Sequence, residues 1–475
     1  MATLRIQKDY NVILTTFLKY LPSRLLVILN SLIIVPFFAY ILSAKEMGIY
    51  QISIGVLNLL CTCSTDWISK SALRFYEKYK INDKLEEFYS NVILISLVVY
   101  GLILVIYLLF GNEISQKFFV SKDILILTLI LIIPCGVRQF LYQMLRVLNK
   151  PFLYTFSIII YQFTHLLLFL ILFNILNNNV IAILTSMTIA MVIIDFYILK
   201  KINLKTKLKL KFDTEFINEA LKYSLPMVIT NTSIWTLLHI NKFIFQRNEM
   251  FQYTAEAGIA WLYTSYILTP LLSAFLFAVF PIIIKRYEHR YSIQNITTCT
   301  IRLYCILFIP LVSTFIYFAK EISDTMFHYK YNNLSIILPF FAATIFLHEL
   351  MKILNIKYHL KNKTYIEMLI SVFAGIICIY LNFILIPEYN LLGAGIAMIS
   401  SISLMIMLHS LIHFKSLNYI FPKKIFKTVI YTVLTGSIIY YALSFANILH
   451  PIIKICSFIA VYYYAVWTFK NRILD

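Results

Sequence analysis

An all-α, polytopic membrane fold is what this 475-residue chain predicts, and three observations predict it. Apolar residues make up 60% of the chain and charged ones only 13%, too little charge to cover a soluble protein of this length. Apolar runs of roughly 20 residues, the length that spans a bilayer as a helix, recur from one end to the other. The basic residues alternate between crowded and sparse connections. Helices must supply every span, because a backbone in hydrocarbon has no water to bond with.

The runs fall near residues 14–42, 49–68, 88–110, 123–145, 152–175, 179–199, 218–244, 257–281, 298–319, 332–354, 364–386, 392–413, 425–446 and 450–469. That is about fourteen transmembrane helices at one span per run. The eleventh and twelfth are divided only by Pro387 to Leu391. Charge placement tests the count independently. With the N-terminus inside, the cytoplasmic segments hold Arg5, Lys8 and Lys19; Lys70, Arg74, Lys78, Lys80 and Lys84; Arg146 and Lys150; and the run Lys200 to Lys211 followed by Lys222. Later inside segments hold Lys285, Arg286 and Arg290; Lys352 to Lys363; Lys415 to Lys427; and Lys470 and Arg472. The outside connections hold only Lys45, Lys117, Lys122, Arg247, Lys320, Lys330 and Lys454. This positive-inside bias places both termini in the cytoplasm of a multi-pass protein of the bacterial inner membrane. The start, Met1 to Asn11, is polar and carries no small-residue cleavage site, so no signal peptide is expected.

The basic stretch 200–217 reads as a cytoplasmic linker between an N-terminal lobe, 1–199, and a C-terminal lobe, 218–413; residues 414–475 supply two further helices and a tail. A short echo relates the lobes. Lys19-Tyr20-Leu21-Pro22 answers to Lys222-Tyr223-Ser224-Leu225-Pro226, and Glu46-Met47-Gly48-Ile49 to Glu256-Ala257-Gly258-Ile259. Two pseudo-symmetric six-helix lobes plus two added helices is the simplest account, and such repeats are common in secondary transporters.

The formal charge of +19 does not indicate nucleic-acid binding, since the basic residues sit in short runs between apolar spans. No phosphate-binding glycine loop, ATPase motif or metal cluster is present, so neither cofactor nor metal is expected and no enzymatic activity is predicted. Most of the seven cysteines, Cys61, Cys63, Cys135, Cys299, Cys305, Cys378 and Cys456, fall inside apolar runs and read as small buried hydrophobes.

Charges within the spans are the functional candidates, because a lipid-facing charge is costly. Arg24 either snorkels to the cytoplasmic interface or lines a polar cavity. Arg138 lies eight residues before Arg146, roughly on one helix face, a spacing that suits a cationic track. Lys242, beside Asn241 and near His239, is either an interfacial lysine or an anion contact, and Arg302 reads as an interface anchor. Among acids, Glu349 is the best buried candidate, with Lys352 one turn away as an ion-pair partner. Asp66 and Asp195 end their helices and either bound the membrane or serve ion coupling. A cavity with these cations would welcome a diphosphate or an acidic sugar. Pro226 and Pro270 can kink helices, Pro281 falls at a helix end, and Gly393, Ala394, Gly395 and Ala397 give a small face for close packing.

Four passages carry a family resemblance. They are Leu42-Ser43-Ala44-Lys45-Glu46-Met47-Gly48-Ile49-Tyr50, Leu145-Arg146-Val147-Leu148-Asn149-Lys150, Lys222-Tyr223-Ser224-Leu225-Pro226, and Asn382 to Pro387 followed by Leu392-Gly393-Ala394-Gly395-Ile396-Ala397. In this order they resemble the polysaccharide repeat-unit (O-antigen and capsule) flippases of the multidrug/oligosaccharidyl-lipid/polysaccharide (MOP) exporter superfamily. Ser43-Ala44 replaces the family's usual glycine-proline, and Asn241-Lys242 stands where an aspartate-arginine pair is frequent. The resemblance implies a flippase that moves an undecaprenyl-diphosphate-linked oligosaccharide to the outer leaflet by alternating access through a cationic central cavity. It carries substrate binding onto Arg24, Arg138 and Lys242; the missing aspartate at Asn241 puts an ion-pair gate there in doubt. It also implies coupling to a proton or sodium gradient, with Glu349, Lys352 and Asp66 as the candidate residues, and association with polysaccharide polymerase machinery. Lipid II flippases and multidrug (MATE-type) antiporters share the superfamily and are the alternatives.

Overall fold

The computed structural model describes the chain except residues 1, 70–75, 77–78, 83, 149, 203–213, 289–293, 328–329, 362, 413–422, 446–449 and 469–475. Most of the basic linker, with Lys205, Lys207, Lys209 and Lys211, therefore lies outside the described residues, as do Lys70, Arg74, Lys78, Arg290, Lys415, Lys470 and Arg472. The side chains of Asp66, Lys222 and Lys285 also lie outside them.

The protein is all-α. In chain order the helices are α1 (Ala2–Ile41), α2 (Ala44–Cys61, continued by a π-helical turn Thr62–Asp66), α3 (Leu85–Phe118), α4 (Lys122–Val147), α5 (Pro151–Phe173), α6 (Asn179–Ile202) and α7 (Thr214–Arg247). They continue with α8 (Phe251–Glu288), α9 (Gln294–Tyr317), α10 (Ala319–Phe327), α11 (Leu334–Leu360), α12 (Thr364–Ile412), α13 (Lys423–Phe445) and α14 (Pro451–Thr468). Among the described residues, nine helical stretches are long and apolar enough to cross a membrane, and Val27–Ile41, Val429–Leu443 and Pro451–Ala465 are shorter apolar helices. The chain is thus a multi-pass membrane protein.

Local chemistry sets the helix ends. Ser43 caps α2 through a reciprocal box: its Oγ accepts from Glu46 N–H (3.2 Å), and its own N–H donates to Glu46 Oε2 (2.8 Å). Ser121 caps α4, and Pro151 opens α5, where a missing N–H costs nothing. α3 ends on Phe119 at φ 54, a left-handed C-cap without glycine. Pro387 and Asn390 (φ 50, ψ −125) break α12 into two helices, at the division the sequence suggests. Gly393 is required there, because a Cβ would lie 2.2 Å from Leu385 O. Hydroxyls inside the spans bond the carbonyl one turn back, as Ser53 does to Ile49 O (2.9 Å) and Ser401 to Ala397 O (2.7 Å), so they cost little in an apolar setting.

Two compact units form. One comprises Leu42–Ala255, the other Met1–Ile41 with Glu256–Asp475. The helix α1 groups with helices of the second half of the chain, and α7 with those of the first. In the first unit α2 packs against α4 and α7, and α5 against α6. Trp235 on α7 donates its indole N–H to Gly55 O on α2 (3.1 Å), and Phe243 closes over the bare Gly55 backbone. In the second unit α11 packs on α12, and α13 packs on α9 through Tyr317 and Tyr440 stacked 5.0 Å apart.

Three expectations need correcting. Pro281 lies inside α8 rather than at a helix end. The short α10 is a helix of its own, with too few apolar residues to register in a search for spans. Cys63 and Cys456 are exposed rather than buried, while Cys61, Cys305 and Cys378 are buried as expected; among the described residues no disulfide joins any of the seven.

Candidate functional site

The unit Leu42–Ala255 holds two polar clusters. In the first, Arg138 on α4 reaches Asp195 on α6, with Nε 3.3 Å from Oδ1 and the two side chains only 8% and 6% exposed. The Arg138 guanidinium lies 3.9 Å from the centre of the Tyr161 ring, and Tyr161 stacks on His165 one turn further along α5. Arg138 Nη2 and Asp195 Oδ2 are buried without a hydrogen-bond partner among the described residues. Three helices are therefore tied at one point by charge and ring contact. Asp195 is a buried partner 57 positions from Arg138, a separation at which no local pattern signals contact. Arg146 follows a different path: it is exposed, with Nη2 donating to Tyr154 OH (3.2 Å) and its charge over the Tyr154 ring.

The second cluster surrounds Lys242, only 1% exposed on α7. Asn241 and His239 are buried beside it, and Trp235 stacks on His239 at 5.4 Å. Asn241 turns its amide oxygen onto the Lys242 backbone N–H (2.7 Å). Gln246, one turn on, donates to Phe118 O at the end of α3 (2.9 Å). A cation buried in this way is costly unless met by polar groups.

The other unit carries Arg24 and Glu349. Arg24 is half-buried on α1, with its guanidinium 5.5 Å over the Phe277 ring and Nε lacking a partner among the described residues. Glu349 is buried on α11; Oε1 accepts from Lys352 Nζ at 2.6 Å and lies 3.8 Å from His348 Nδ1. Its second oxygen, Oε2, is buried with no partner among the described residues. The Lys352 side chain is 42% exposed, so the pair is open on the lysine side. Arg302, expected as an interface anchor, is buried instead. Asp66 ends the π-helical turn of α2, a rare geometry found mostly at functional sites. Among the described residues no group of three or more His, Cys, Asp or Glu side chains could hold a metal.

A family model described as "Polysaccharide biosynthesis protein" matches residues 16–250, the stretch that runs from α1 to the end of α7. Among solved structures, the lipid II flippase MurJ in an inward closed conformation is similar with a TM-score of 0.74 and 16% identity, over 96% of this chain and 99% of that one. The chain therefore shares the fold of this transporter. Other solved transporter structures are similar in fold. An inward-facing multidrug resistance MATE transporter matches with a TM-score of 0.55 and 15% identity, over 86% of this chain and 96% of its own. The MATE multidrug transporter DinF-BH matches with a TM-score of 0.61 and 12% identity, over 86% of this chain and 96% of its own. No curated protein sequence matches the chain.

Proposed function

We propose that this protein is a transporter of the MOP superfamily, a flippase for polyprenyl-diphosphate-linked saccharides working by alternating access. The observation that carries the reading is a convergence: the family match over residues 16–250 concerns polysaccharide biosynthesis, and the solved structure with the TM-score of 0.74 is a flippase for lipid II, itself a lipid-linked saccharide. Within that class the family match supports an undecaprenyl-diphosphate-linked oligosaccharide repeat unit, bound for O-antigen, capsule or exopolysaccharide. The likeness to the lipid II flippase, spanning 96% of this chain, supports lipid II and weighs more than the family match. A multidrug substrate has the support of the MATE likenesses, which reach 86% of the chain.

In this reading the chain crosses the inner membrane about fourteen times, at one span of roughly 20 residues per apolar run, with both termini in the cytoplasm. Arg138 and Lys242 in one unit, and Arg24 in the other, are the candidate substrate-binding cations. Glu349 with Lys352, or Asp66, couples transport to a proton or sodium gradient, and a polysaccharide polymerase takes up the flipped product.

Deletion of the gene, followed by extraction and mass analysis of the lipid-linked saccharides, tests the proposal. Accumulation of complete repeat units with loss of surface polymer supports the oligosaccharide substrate. Accumulation of lipid II with lysis supports the peptidoglycan precursor. Unchanged pools of both, with gained sensitivity to cationic drugs, refute the flippase reading.

A further inference from the structure

Resting on the flippase reading, we propose that α2 and α7 of the unit Leu42–Ala255 present a recognition face for an uncharged saccharide, with the Asn58 carboxamide and the Trp235 ring as its contacts. Exposure on α2 is inverted relative to that on lipid-facing helices. On α3 the exposed side chains include Leu97, Leu102, Val105 and Leu108, and on α5 they include Phe163 and Leu167. These are the side chains that hydrocarbon accepts. On α2 and its continuation, among the described residues from Met47 to Ser69, the exposed ones are Asn58 and Cys63 alone. An amide and a thiol are thus what a stretch apolar enough to cross a membrane leaves uncovered. A carboxamide turned to hydrocarbon forfeits the hydrogen bonds that water gives it, so this side of α2 faces water.

The matching surface comes from α7. It is 34 residues long, yet among the described residues it is not one of the stretches apolar enough to register as a span. Its polar residues concentrate over 231–236, where Asn231, Thr232, Ser233, Trp235 and Thr236 are all half-buried. Two contacts join this segment to α2. Cys63 Sγ lies 3.5 Å from Thr232 Oγ1, and the Trp235 indole N–H donates to Gly55 O at 3.1 Å. Asn58 comes between Gly55 and Cys63 along α2, so it stands between the two contacts.

These side chains offer what a neutral sugar needs. The Asn58 carboxamide makes no hydrogen bond among the described residues, so its N–H donors and its carbonyl acceptor are open to hydroxyls, which both give and accept. Ser233 and Thr236 donate to Ile229 O (2.9 Å) and Thr232 O (3.0 Å), which leaves their oxygen lone pairs to accept. Trp235, fixed by its bond to Gly55 and by stacking on His239, is a rigid, half-buried ring suited to the apolar face of a pyranose. The face carries no cation: no Lys or Arg lies between Met47 and Ser69 or between Thr230 and His239. An acidic sugar would be desolvated there without a counter-charge. Lys242, one of the candidate substrate-binding cations, follows Trp235 by about two turns, or about 10 Å along α7. One helix therefore carries a sugar position and, apart from it, an anion position.

Protection of the Cys63 thiol tests this on the full, unaltered chain in lipid–detergent micelles. A water-soluble maleimide is applied, and alkylation of Cys63 is followed by peptide mass mapping. Three probes are compared: a polyprenyl diphosphate carrying a neutral disaccharide, the same lipid carrying a uronic acid, and the lipid diphosphate without sugar. Cys63 is expected to react, and the neutral-sugar probe alone is expected to slow the reaction. N58L should raise the probe concentration needed for protection by about fivefold, what one neutral hydrogen bond is worth, and N58Q should restore most of it. Both variants should elute as the parent does on size-exclusion chromatography. Equal protection by the acidic or the sugar-free lipid overturns the proposal and leaves the flippase reading standing. So does a neutral-sugar probe that co-purifies with the protein without protecting Cys63. A Cys63 that does not react overturns it as well, because the face then does not meet water. If none of the three lipids co-purifies, the flippase reading fails and the recognition face fails with it.

Discussion

Breaking the Arg138–Asp195 pair from one side should destabilise the protein far more than removing both charges together. The two side chains are 8% and 6% exposed, so solvent screens their interaction little. In R138M the Asp195 carboxylate is left buried without its cation, at a cost of about 3–5 kcal/mol. In D195L the stranded guanidinium keeps the face of Tyr161, 3.9 Å away. That contact offsets about 1–2 kcal/mol, leaving roughly 2–3. In R138M/D195L no buried charge remains at this point, and stability should return to within about 1 kcal/mol of the parent. The interaction energy of the cycle is then about 4–8 kcal/mol, larger than the costs of neighbouring but uncoupled sites would leave. Unfolding of the purified protein in detergent, followed by loss of monodisperse material, reads all four members. Additive costs in the double variant, or single variants as stable as the parent, would refute the coupling.

Other perturbations follow from single contacts. W235F removes the donor to Gly55 O and leaves that carbonyl with less to bond; a loss of about 1 kcal/mol in the same unfolding assay is expected. G393A places a methyl 2.2 Å from a backbone oxygen that cannot swing away, so loss of folded protein on size-exclusion chromatography is expected; ordinary yield would contradict that close approach. K242M should leave folding intact, since a buried charge becomes an apolar stem of similar length, yet abolish transport in a complementation test; full complementation would remove Lys242 from the proposed site. E349Q keeps an acceptor for Lys352 but not the charge, and is expected to reduce gradient-driven transport while sparing expression.

Local features are legible in the sequence. Apolar run length marks most of the helices, and the Ser43-x-x-Glu46 spacing is a capping box that the structure forms. Glu349 and Lys352, one turn apart, pair on spacing alone, and the pair is made at 2.6 Å. What stays hidden depends on which helix meets which. Asp195 looks like a helix terminus because nothing within a turn of it is basic until Lys200; its partner arrives from α4. The placement of α1 and α7 is likewise not written in apolar periodicity, since a span that is apolar around most of its surface does not say which neighbours it joins. Lys242 lies near a helix end, and only the packing around it reveals that its side chain is buried. α10 escapes notice because nine residues with a charged turn fall below any span-length criterion.

The central claim concerns the lipid-linked saccharide itself, and purified transporter in sealed vesicles tests it most directly. Vesicles carry a polyprenyl-diphosphate saccharide with a reporter on the sugar, and a membrane-impermeant reagent destroys the reporter in the outer leaflet only. Protein-free vesicles should lose only the outer-leaflet signal. Vesicles with the transporter should lose nearly all of it, faster with an imposed ion gradient and not with K242M. If the parent protein leaves the inner-leaflet signal protected, while the same vesicles accumulate a cationic drug against a gradient, the substrate is not a lipid-linked saccharide and the account is wrong.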